Sequence, residues 1–131
     1  MKETDYPYTD CLTEEMKGRI IELSKKSTDL EYLWGVYGEA IVGPSASGEP
    51  PTEEGKDGFN RFLYKFKESL CNDLRVQSFM NSDNSSDLIA LSMVITAKLA
   101  ADNFAGIDIC AAGVLIARLG LRKICEMNSI D

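Results

Sequence analysis

The segment from Leu88 to Leu119 constrains this chain most, because it holds two runs that are apolar on almost every side of a helix. Between charges the runs are Leu88 to Ala97 and Ile109 to Ala117, ten and nine residues. A helix that spans a bilayer needs about twenty. Both runs therefore read as buried helices, roughly 88–102 and 108–125, joined as a hairpin. Gly106, Cys110, Gly113, Ala117 and Gly120 recur at alternating steps of four and three, and Ala90, Val94, Ala97 and Ala101 offer a matching line. Two lines of small side chains let backbones approach closely.

Three amphipathic helices precede the hairpin. Leu12, Met16, Ile20 and Leu23 mark the first, with Thr13 before it, acidic residues opening it and lysines closing it, which complements the helix dipole. Thr28 and Glu31 have capping-box spacing for the second, whose stripe is Leu30, Leu33, Trp34, Tyr37 and Ile41. Phe59, Phe62, Leu63, Phe66, Leu70 and Leu74 carry the third at helical offsets. Ser85 or Ser86 is the expected cap of the fourth helix, and Asp108 of the fifth. No segment alternates like a strand. The expected fold is all-α with about five helices, a C-terminal hairpin over about 88–125 packed on the three others.

The 131 residues suit one domain, 1–131, with an N-terminal arm over 1–12 and a flexible loop over 43–58. Three of the four prolines and four glycines fall in that loop, which argues against a regular element there. The arm, "DYPYTD", is either a recognition segment or a strip lying over its own domain.

Composition narrows function. With 14 basic and 21 acidic side chains the net charge is -7, which disfavours nucleic acid and anionic membranes and favours basic partners. No histidine is present, so Ser-His and Cys-His nucleophile pairs are excluded. Cys11, Cys71, Cys110 and Cys125 show neither a C-x-x-C pair nor zinc-ligand spacing. They read as separate small apolar residues, a pattern that points to a cytoplasmic, reducing setting. The first residues have no apolar core of a secretory signal.

Several motifs tempt and then fail. Gly43 to Gly48 matches the start of a phosphate-binding loop, but Glu49 and Pro50 stand where lysine and a hydroxyl are required. Asp83, Ser85 and Asp87 have alternating oxygens, yet Leu88 and Val94 replace the glycine and glutamate of a calcium loop. Lys67 and Arg75 flank Cys71 at four residues on either side, and Lys56, Arg61 and Lys65 extend a basic side of the third helix. No cofactor or metal is expected. A carboxylate enzyme requires some of Glu14, Glu15, Glu31, Glu39, Asp102 and Asp108 to meet in space.

Three functional classes follow. The leading one is a protein-interaction module, an adaptor, regulator or acidic inhibitor, binding a basic partner or a second copy of itself. Its candidate interface is Trp34 and Tyr37, with the hairpin flanks Leu91, Ile95, Leu99, Ile109, Ile116 and Leu119. The second is a small-ligand binder or carboxylate enzyme with a pocket between helices two and three, lined by Trp34, Tyr37, Phe62 or Phe66 under the 43–58 loop. The third is an apolar hairpin that enters membranes, which the short runs disfavour.

Overall fold

The computed structural model describes residues 6–43 and 48–129. These residues form seven α-helices and no strand: α1 (Glu14–Lys25), α2 (Leu30–Val42), α3 (Thr52–Leu70), α4 (Leu74–Met80), α5 (Leu88–Ala101), α6 (Ile109–Leu119) and α7 (Leu121–Glu126). The fold is all-α, as the periodicity implies.

Helices α5 and α6 are the centre. In α6 every residue from Cys110 to Ala117 is buried, and α5 is buried from Ala90 to Ala97 and again at Leu99. A helix apolar all round must be covered all round. Ile20 and Leu23 of α1, Leu33 of α2, Phe66 and Leu70 of α3, Val76 and Phe79 of α4, and Leu121 and Ile124 of α7 supply that cover. The hairpin seam is tight at Gly113, where a Cβ would lie 1.9 Å from Thr96 Oγ1. The opposing residues are thus Thr96 and Ser92, not the alanine line expected on α5. Gly106 and Gly120 are not packing positions either: both have positive φ, +79° and +103°, with no atom inside 3.8 Å of a built Cβ. They turn the backbone where L side chains are strained.

Two expected helices are each split. Asp73 accepts from the Val76 N–H and starts α4 anew, while Gly120 ends α6 and begins α7. Apolar spacing continues across both breaks, so periodicity alone reads through them. The caps move as well: Asp29, not Thr28, accepts from Tyr32 N–H, and Asp87, not Ser85 or Ser86, accepts from Ile89 and Ala90 N–H. Thr13 and Asp108 cap as expected.

The loop expected over 43–58 is helical from Thr52 onward. Pro50 and Pro51 lead into a first turn holding Glu53 and Glu54, a start favoured because early N–H groups lack partners and the helix N-terminus is positive. Gly55 and Gly58 belong to the α2–α3 seam: a Cβ at Gly55 would sit 2.0 Å from the Trp34 carbonyl oxygen, and one at Gly58 2.3 Å from Ile41 Cδ1. Gly55 admits the α2 backbone and Gly58 the Ile41 side chain, and neither breaks the helix. Residues 44–47, which carry most of the phosphate-loop resemblance, lie outside the described residues.

The arm lies on its own domain from Tyr6 to Leu12. Tyr6 meets the Phe79 ring edge-on at 5.2 Å, and Thr9–Cys11 form a 3₁₀ turn after Tyr8, whose φ is +66°. Tyr8 OH donates to Asp73 at 2.6 Å, with Arg75 over the Tyr8 ring at 4.6 Å. Lys98 joins Asp73 at 3.4 Å and Asp102 at 2.9 Å, and Ser69 donates to Asp102. One polar network thereby ties arm, α3, α4 and α5.

Candidate functional site

Six of the eight expected interface residues belong to the core. Trp34, Tyr37, Leu91, Ile95, Leu99 and Ile116 are buried, and Ile109 and Leu119 are half-buried. The cover is more complete than three amphipathic helices suggest, since α4, α7 and the arm add to it. Aromatic residues expected to line a pocket between helices two and three pack on one another: Phe59 receives Trp34 at 5.1 Å and Tyr37 at 5.8 Å and packs on Phe66 at 5.0 Å. Edge-on and tilted rings at such spacings are close-packed.

What stays open is a cleft of about 520 Å³ where α1, the end of α2 and the start of α6 converge. Its apolar lining is Met16, Ala40, Ile107 and Ile109, with Glu15, Arg19 and Asp108 among its polar residues. Ala40 is exposed at the end of α2. Arg19 meets both Asp108 carboxylate oxygens through its two terminal nitrogens, a planar fork that carboxylate geometry matches. Because Asp108 also accepts from Ala111 N–H, one residue caps α6 and clamps it to α1. Its side chain is only 8% exposed, against 43% for Arg19.

The groups behind this cleft are held protonated. Burial, then the charge of Asp108, pushes the Cys110 thiol upward, more than Arg19 lowers it. Burial, then Asp108 again, pushes the Tyr37 phenol upward. Neither serves as nucleophile or base at neutral pH. Of the carboxylates that chemistry would require to meet, Glu15 and Asp108 share the cleft, but both Asp108 oxygens are engaged. Asp102 is bound by Lys98 and Ser69, Glu14 by Lys17, and Glu31 and Glu39 lie exposed on α2.

A second cleft, about 480 Å³, lies between α3 and the C-terminal segment, lined among others by Tyr64, Lys67, Cys71, Cys125 and Met127. Here the reading of four separate cysteines is overturned: Cys71 and Cys125 form a disulfide, leaving Cys11 exposed and Cys110 buried as free thiols. The cysteine argument for a reducing setting falls with it, since disulfides persist where conditions are oxidising. The two cations near Cys71 diverge, Lys67 donating to the Met127 carbonyl at 2.9 Å and Arg75 lying over Tyr8. The basic side of α3 is interrupted too, with Lys65 over the Phe62 ring.

Among the described residues no group of three His, Cys, Asp or Glu side chains is placed to hold a metal ion. Asp83 to Ser86 form a 3₁₀ turn in which Ser86 donates to the Asp83 carbonyl, and Asp87 caps α5. No helix among them is long and apolar enough to cross a membrane. No family model, curated protein or solved structure matches this chain.

Sequence reasoning named Asp108 as a cap and, with Glu15, as a candidate carboxylate, and Ile109 as a candidate interface residue, but did not single out Arg19, Ala40 or Ile107. The cleft joins α1, α2 and α6, whose residues are far apart in the chain, so no local spacing brings these residues together.

Proposed function

We propose that this chain is an interaction module, an adaptor, regulator or acidic inhibitor, that receives a basic and partly apolar segment of a partner protein in the α1–α6 cleft. The observation that carries this is the apolar lining of Met16, Ala40, Ile107 and Ile109 beside Glu15 in one cleft. Arg19, the cation among the lining residues, is already neutralised by Asp108. The net charge of -7 steers cations toward such a surface and phosphates away from it.

Glu15→Lys and Ala40→Asp test the reading, since both side chains line the cleft and are exposed, so changing them leaves the core intact. A partner recovered with the native chain should lose roughly tenfold in affinity with either variant and keep it with Leu74→Asp, an exposed site outside the cleft. Equal affinity for all three variants would remove the cleft from the account. A dimer that Ala40→Asp dissociates would assign the cleft to a second copy. Alkylation at the moment of cell lysis addresses location: four free thiols would support a cytoplasmic setting.

A further inference from the structure

We propose that the Cys71–Cys125 bond is a thiol–disulfide switch, opened by a dithiol reductant, that governs the cleft between α3 and the C-terminal segment. Both cysteines are half-buried rather than enclosed, and the pair lines two clefts at once. One is the 480 Å³ cleft against α3; the other, about 180 Å³, lies against α4 and includes Gln77, Met80 and Arg122. The bond is the partition between them, open to a reductant from either side.

The segment it restrains is built to loosen locally. Helix α7 has six residues and hangs on Gly120, whose φ of +103° sets it apart from α6. Leu121 and Ile124 anchor its inner side in the core. Past Ile124 the cross-link and the Lys67 bond to the Met127 carbonyl tie the chain to α3. Breaking the cross-link leaves α7 seated by its two apolar anchors, while residues 125–129 are held by the Lys67 bond, the Met127 N–H bond to the Lys123 carbonyl and the partly buried Met127 side chain, with no covalent restraint. Lys67 and the 69%-exposed Tyr64 then face a wider recess.

The exchange balances without any other group. One thiolate of the reductant attacks a sulfur of the pair and forms a mixed disulfide, and the departing cysteine thiolate takes up a proton. The second reductant thiol, losing its proton, displaces the other cysteine. The chain gains two thiols and the dithiol is oxidised to its disulfide, two electrons in all. Neither remaining cysteine is in these clefts: Cys11 is on the arm and Cys110 lines the α1–α6 cleft.

The full chain, purified without reductant, is equilibrated in graded dithiothreitol and read in parallel by alkylation mass spectrometry and by hydrogen exchange. Before reduction, two cysteines should alkylate after denaturation; after reduction, four. Exchange over 125–129 should rise at least about tenfold on reduction, with α5 and α6 still protected. The Cys71→Ser/Cys125→Ser variant should show the raised exchange at every dithiothreitol concentration. Four alkylatable cysteines before reduction would overturn the proposal. So would unchanged exchange over 125–129, or complete loss of α5 and α6 protection, which would make the bond a condition of folding and not a switch.

Discussion

At the residue scale, the tightest constraint is on Gly113. A methyl there meets Thr96 Oγ1 at 1.9 Å and the Ser92 carbonyl oxygen at 3.2 Å. The Thr96 hydroxyl is itself buried without a hydrogen-bond partner, so removing it forfeits little bonding. Gly113→Ala is expected to cost about 1–3 kcal/mol through overpacking, and adding Thr96→Ala should return part of that loss. Denaturant unfolding of the two singles and the double checks this; strict additivity would show that the residues do not meet. The two free cysteines diverge for an equally local reason. Cys110 is buried, and its thiol is pushed upward by burial and by Asp108, whereas Cys11 is exposed to reagent. Under non-reducing conditions one thiol should therefore react rapidly with a chromogenic disulfide and a second only on unfolding. Rapid reaction of both would refute the packing around Cys110.

At the element scale, Asp73 does two jobs, capping α4 and holding the arm through Tyr8 and Lys98. Burial pushes its carboxyl upward, but hydrogen bonds from Tyr8 and the Val76 N–H and the charge of Lys98 outweigh that, and its pKa lies below the ordinary value. A lowered carboxylate pKa stabilises the fold above the unfolded value near 4, and that contribution is lost as pH falls through the folded value. Asp73→Asn keeps a capping oxygen but not the charge. It should cost about 1–3 kcal/mol at pH 7, with the gap from the native chain shrinking below about pH 4, as pH-dependent thermal melts can show. A gap independent of pH would mean that the charge is not what holds the arm. The helices themselves were legible because each buries one stripe, and Thr13 and Asp108 announced two starts. The breaks at Cys71–Asn72 and at Gly120 were not, because Leu70 and Leu74 keep helical spacing across the first, and Gly120 falls within a line of small residues. Gly55 and Gly58 misled for a related reason: a glycine that admits a packed neighbour and one that ends a helix are the same letter.

At the scale of the whole molecule, the cover over α5 and α6 makes a second copy unnecessary for folding, while the cross-link binds distant parts of the chain. Cys71 and Cys125 are 54 residues apart, and no local spacing marks such a pair, which is why it was illegible in the sequence. Closing a loop of that size removes unfolded-state entropy worth about 4 kcal/mol in the chain-entropy model, a large share of the roughly 5–15 kcal/mol that holds a domain together. For 131 residues that corresponds to a melting temperature lower by about 15 °C when the bond is reduced. The reduced chain should still melt cooperatively, because the apolar cover from α1 to α4 does not depend on the bond, and Leu121 and Ile124 remain anchored. Calorimetry with and without dithiothreitol, repeated on Cys71→Ser/Cys125→Ser without reductant, separates the bond from side effects of the reductant. Coincident melts of oxidised and reduced chain would show that the cross-link does not constrain the unfolded state; a non-cooperative reduced chain would show that the core depends on it.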